Sequence, residues 1–163
     1  MSESSPTDQE SPEVAALRTE IDEAGHRARR SFEPGHRAAV IGAGMLLLVL
    51  GVVLPWAGDS NGIDVLLSRV PPELGVGILP QVFAVTVLLF GLVVSGVALA
   101  VRRWGLAWLS LIGCGHSIFE GMLAIWTRQT APGAPGPGIG LLITVLAIFV
   151  ITLQWVKIAW SRD

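Results

Sequence analysis

Four long stretches of this chain carry almost no charge, and no other feature limits its fold so severely. Residues 38–58 read AAVIGAGMLLLVLGVVLPWAG, without one ionisable side chain. A second uncharged run extends from Leu74 to Val101, with its best window from Gln81 to Val101. A third reaches from Trp104 to Trp126 and is broken by His116 and Glu120, and a fourth fills Gly138 to Val156. A helix crossing a hydrocarbon core of about 30 Å needs about 20 residues at about 1.5 Å each. Each run supplies roughly that many. Backbone groups in lipid must satisfy one another, which makes these runs helices rather than loops. Barrel strands would alternate in polarity, and soluble core helices would keep a polar face; these runs do neither.

The expected fold is therefore all-α: a four-helix transmembrane bundle, N-in/C-in, with spans near 38–57, 81–101, 104–126 and 138–156. Orientation comes from the basic residues. Arg18, Arg27, Arg29, Arg30 and Arg37 precede the first span, Arg102 and Arg103 separate the second and third, and Lys157 and Arg162 follow the fourth. The two opposite loops hold Arg69 and Arg128. The positive-inside rule then puts both termini in the cytoplasm. Trp56 and Trp126 at the outer ends of spans, with Trp104, Trp108, Trp155 and Trp160 at inner ends, read as interface anchors of an aromatic belt.

Composition agrees with a bilayer. Hydrophobic residues make up 52% of the 163-residue chain and charged residues 15%, against about 25% charged in soluble domains. A net charge of −2 argues against a nucleic-acid partner, and one cysteine cannot close an internal disulfide.

Ahead of the 37–162 membrane domain lies a cytoplasmic tail, residues 1–36. Residues 1–10 are polar and acidic and are expected to be disordered. Residues 11–30 read as a short amphipathic helix followed by a basic juxtamembrane stretch. Ser11 and Pro12 suit the start of that helix, and Val14, Leu17, Ile21 and Ala24 recur at helical spacing. Arg29-Arg30-Ser31-Phe32 partly matches a twin-arginine signal, but the apolar run after it is too long and lacks a cleavage site. In the first outer loop, Asp59, Asn61 and Asp64 have oxygen ligands at alternate positions, yet Asp-Ser-Asn-Gly reads better as a turn than as a calcium loop. A short interfacial helix is expected from Ile63 to Val70, stopped by Pro71 and Pro72.

The third span holds the only ionisable constellation at depth. His116 and Glu120 are four residues apart and share one face. Ionisable groups inside a membrane are expensive and often functional. Two readings stay open: a proton or cation relay, or a neutral carboxylic acid bonded to a neutral imidazole that joins helices. No metal or other cofactor is expected, because the other spans contribute no Asp, Glu, His or Cys. Gly113, Ser117 and Gly121 form a row of small residues at intervals of four, and Gly91 and Ser95 form a shorter one. Such rows let helices approach closely, within one chain or between chains.

Leu54-Pro55-Trp56, Arg102-Arg103-Trp104 and Gly136-Pro137-Gly138-Ile139-Gly140 together make a layout. It resembles that of small uncharacterised four-span membrane proteins of actinobacteria, over residues 37–162. The resemblance implies a multi-pass protein of a bacterial plasma membrane and brings no activity with it. The expected role is a non-catalytic accessory or scaffold subunit of a membrane complex, not an enzyme. The alternative is a small homo-oligomeric proton-coupled transporter or channel using Glu120 and His116. The expected partners are the lipid bilayer and either a membrane protein or further copies of the chain, without nucleic acid.

Overall fold

The computed structural model describes residues 14, 16–21 and 35–160. The expectations for residues 1–10, the Ser11–Pro12 helix start, Ala24, the basic stretch containing Arg29-Arg30-Ser31-Phe32, and Arg162 lie outside the described residues. Val14 and residues 16–21 are helical and exposed, with Val14, Leu17 and Ile21 along their apolar side.

The remainder is an all-α bundle. Helix α1 spans Gly35–Val53 and is followed by a small antiparallel hairpin, β1 (Pro55–Ala57) and β2 (Ser60–Asn61). A one-turn helix α2 (Gly62–Leu66) and a 3-10 turn (Pro72–Leu74) lead into α3 (Ile78–Val101). Then come α4 (Trp104–Thr130) and α5 (Ile139–Trp160). Helix α1 stops at Val53, short of the expected 57. Pro55 has no N–H to donate, and a proline disfavours helical geometry in the residue before it.

Helix α3 is not uniform. Its middle, Val87–Val94, is π-helical, between α-helical turns at Ile78–Thr86 and Ser95–Val101. A π-helical stretch shifts which residues face a neighbour, and such stretches often occur at functional sites. Here neighbouring residues serve different helices. A Cβ on Gly91 would lie 2.7 Å from Leu48 of α1 and 2.8 Å from Ile148 of α5, whereas the Phe90 ring fills the space beside Gly113 of α4.

Helix α1 packs most extensively on α5, α5 on α4, and α4 on α3. The α1–α5 seam rests on glycines that sequence reading passed over. A Cβ on Gly44 would meet Ile151 at 2.7 Å, and one on Gly51 would meet the Thr144 hydroxyl at 2.5 Å. Seven residues apart, the two lie on one face of α1 and let α5 approach its backbone. The core holds Ile41, Leu48, Phe83, Val87, Ala107, Cys114, Ile148 and Ile151. The outer surface is apolar too: Leu46, Val93, Ile112, Phe119, Met122, Leu146 and Phe149 are all exposed.

Candidate functional site

The buried stripe of α4 runs Ala107, Ser110, Gly113, Cys114, Ser117, Glu120, Gly121, Ala124, Arg128. All the polar groups of interest meet along it. Glu120 points inward, with its side chain 10% exposed, and one carboxylate oxygen takes the Thr86 hydroxyl of α3. Thr86 also faces the Phe83 carbonyl at 3.2 Å, so its single proton is shared between two acceptors. The other oxygen of Glu120 lies 3.1 Å from Nε2 of His116, whose side chain is 60% exposed. The helical spacing did bring the two residues together. It did not reveal that α4 turns Glu120 towards α3 while His116 stays outside. Thr86 was missed, although with Gln81 and Ser95 it is one of three polar side chains in the window from Gln81 to Val101.

Six residues back along α4 from Glu120, a second buried set at Cys114 joins three helices. Trp155 Nε1 of α5 donates to Ser95 Oγ at 3.0 Å, Ser95 Oγ donates to the Phe90 carbonyl at 2.7 Å, and Cys114 Sγ of α4 lies 3.7 Å from Ser95 Oγ. The carbonyl that Ser95 reaches belongs to the π-helical stretch, five residues back, which leaves room for a side-chain donor. Among the residues expected to pack helices, Ser117 bonds back to the Gly113 carbonyl at 3.0 Å. A Cβ on Gly121 would lie 2.7 Å from Val145 and 2.9 Å from Phe83. The Gly113–Ser117–Gly121 row thus receives α3 and α5 of the same chain.

The tryptophans divide. Trp104, Trp126 and Trp160 are exposed. Trp108 stands between Trp104 and Trp160, with ring centroids 5.7 and 5.8 Å away. Trp56 and Trp155, expected as anchors, are instead buried. Trp155 is held by Ser95, and Trp56 stacks at 5.5 Å on Phe83 while its Nε1 donates to the Gly51 carbonyl at 2.9 Å. A buried indole finds an acceptor for its N–H, and both do so in the protein rather than at a headgroup.

Arg128, counted in the sequence only as a loop charge, is 3% exposed. Its Nη1 donates to the Leu74 and Gly75 carbonyls at 2.7 and 3.3 Å, and its Nη2 to the Pro135 carbonyl at 2.6 Å. The guanidinium therefore fastens both long loops to the end of α4, satisfying carbonyls that no helix pairs. Glu120, Ala124 and Arg128 lie at steps of four beside the Gly113–Ser117–Gly121 row, but the carbonyls that bury Arg128 come from the two loops. In the first loop, Asp64 N donates to Asn61 Oδ1 at 2.9 Å and Asn61 N donates to Asp64 Oδ2 at 3.2 Å. This capping box starts α2 and engages Asn61 and Asp64, two of the three residues considered for calcium. Among the described residues, no three His, Cys, Asp or Glu side chains form a group able to hold a metal ion.

Residues 18–163 match the MiaB C-terminal domain family. This chain belongs to that family. A tRNA-2-methylthio-N(6)-dimethylallyladenosine synthase of Mycobacterium avium (strain 104) is 41% identical over 153 residues, a match covering 93% of this chain and 21% of that protein. The chain thus spans about a fifth of the length of the curated relative it matches. No solved structure matches it.

Membership of the MiaB C-terminal domain family corrects several expectations. The chain that carries Leu54-Pro55-Trp56, Arg102-Arg103-Trp104 and Gly136-Pro137-Gly138-Ile139-Gly140 matches this family, which replaces the resemblance to uncharacterised four-span proteins. The accessory or scaffold role, the transporter built on Glu120 and His116, and the exclusion of enzymes all fall, because the relative is a synthase. So do the exclusion of nucleic acid and the assignment to the plasma membrane with cytoplasmic termini, because that synthase is named for a nucleoside of tRNA. The physical reason is common to all of them. Residue patterning reports which solvent a helix face suits, and net charge averages over the chain. Neither reports what polypeptide the helices serve.

Proposed function

We propose that this chain contributes to tRNA modification as the C-terminal module of a synthase like its Mycobacterium avium relative, and that its four long helices span a lipid bilayer. The observation carrying the first part is 41% identity across 93% of the chain. The second part is supported by the outer faces of the bundle. Helices α1, α3, α4 and α5 have 19, 24, 27 and 22 residues and are each long and apolar enough to cross a membrane. A water-facing helix keeps a polar stripe opposite its core. On these four the exposed positions include Leu46 and Leu50, Val85 and Val93, Ile112 and Phe119, Leu146 and Leu153; apart from His116 at the middle of α4, polar exposure is concentrated towards the helix ends.

In this reading the module holds the synthase at a bilayer, and the internal bonds of Thr86, Ser95, Glu120 and Trp155 join the helices where water is absent. Hydrogen bonds between membrane helices contribute modestly, about 0.6 kcal/mol each on average. The arrangement supports assembly and positioning of the module.

Two measurements test the two parts. Nucleoside mass spectrometry of tRNA from cells lacking this chain is expected to show loss of the 2-methylthio group; an unchanged profile refutes the role in modification. Alkaline carbonate washing of membranes containing the full protein is expected to leave it in the pellet. Complete release into the wash refutes the spanning helices.

A further inference from the structure

The end of the bundle where α1 begins and α5 finishes has a charge pattern unlike the rest of the molecule. Among the described residues of α1, α3, α4, α5 and the α3–α4 turn at this end, the titratable side chains are His36, Arg37, Arg102, Arg103 and Lys157, and none of them is acidic. Of the other described acids, Asp59, Asp64 and Glu73 belong to the opposite end, Glu120 is inside, and Glu20 lies on residues 16–21 ahead of α1. Arg37 reaches across to the Lys157 carbonyl at 3.0 Å, which brings the α1 and α5 cations together. Arg102 and Arg103 form the whole link between α3 and α4, and both are exposed. Arg102 has φ +54°, so the chain reverses sharply there and presents two guanidinium groups side by side in sequence.

Beside them stand the rings of Trp104, Trp108 and Trp160, which tie the start of α4 to the end of α5. Trp108 Nε1 is buried and has no acceptor among the described residues. Exposed guanidinium groups at Arg102 and Arg103 with no carboxylate partner among the described residues, beside that indole N–H, suit an anionic oxygen ligand. Phosphate oxygens bind guanidinium groups by paired, charge-assisted hydrogen bonds.

We infer that this end binds the headgroups of anionic phospholipids, with Arg102 and Arg103 holding the phosphate and the tryptophan cluster seating the glycerol and upper acyl region. The inference rests on the spanning-helix reading above. A lipid is favoured over an RNA because the exposed rings of Trp104 and Trp160 continue the apolar surface of Val101, Leu109 and Leu153. Amphipathic rings at such a boundary match the region between headgroups and chains.

The test uses the full chain in nanodiscs of phosphatidylcholine alone or phosphatidylcholine with phosphatidylglycerol, followed by native mass spectrometry of retained lipid. Wild type is expected to retain phosphatidylglycerol in preference to phosphatidylcholine. Arg102→Gln with Arg103→Gln should lower that preference about tenfold; the double lysine variant should keep most of it. Equal retention of both lipids, or a preference unaffected by the glutamines, overturns the inference. Bulk tRNA binding to phosphatidylcholine discs that is lost with the glutamines also overturns it, in favour of an RNA surface. Failure to enter discs of either composition counts against the spanning helices, a separate result.

Discussion

The two ends of this bundle are built on different principles. At the loop-rich end the chain makes a closed cap. The β1–β2 hairpin, the capped α2 helix and the two proline-containing turns are sealed by Trp56, by the Gly138 N–H bonded to the Trp56 carbonyl at 2.8 Å, and by Arg128. At the other end α3 and α4 are joined by just Arg102 and Arg103, both exposed, beside a cluster of aromatic rings. At the first end Arg128 is buried and bonded to three loop carbonyls. At the other, Arg102 and Arg103 are exposed. The contrast shows that a basic residue can be structural or available, and that burial decides which.

The strongest challenge to this comparison is Arg128→Met. It removes the bonds that the guanidinium donates to the carbonyls of Leu74, Gly75 and Pro135, and a hydrogen bond from a charged group contributes about 1.5–3 kcal/mol. A loss of about 3 kcal/mol is expected, read as a lowered melting temperature in detergent together with faster proteolysis in both loops. Next comes Gly138→Val. Any Cβ there collides with the Pro55 carbonyl, and overpacking of about 2 kcal/mol is expected by the same melting assay. Asn61→Ala removes the capping box and should cost about 1 kcal/mol, detected as faster hydrogen exchange confined to residues of α2. At the other end, Arg103→Gln should leave the melting temperature unchanged, because its side chain makes no bond within the described structure. If Arg103→Gln melted as low as Arg128→Met, the two ends would not differ in the way described.

Glu120 and His116 show how far residue spacing reaches. A separation of four put both on one helical face, and they do meet at 3.1 Å. Which of them turns inward depended on α3, where Thr86 waits at the matching depth, and no periodicity within α4 contains that information. Trp56 and Trp155 teach the same lesson. Their places near span ends suited anchors, but each had an acceptor inside the protein, the Gly51 carbonyl five residues back and Ser95 on another helix respectively.

From the sequence by itself came the four apolar helices and the close packing of α4 at Gly113 and Gly121. Both depend on local quantities, namely the length of an uncharged run and the size of side chains at steps of four. Only the tertiary structure decided the π-helical stretch of α3, the α1–α5 seam at Gly44 and Gly51, and the burial of Arg128. Each of these arises where residues distant in the chain compete for the same space or the same hydrogen bond.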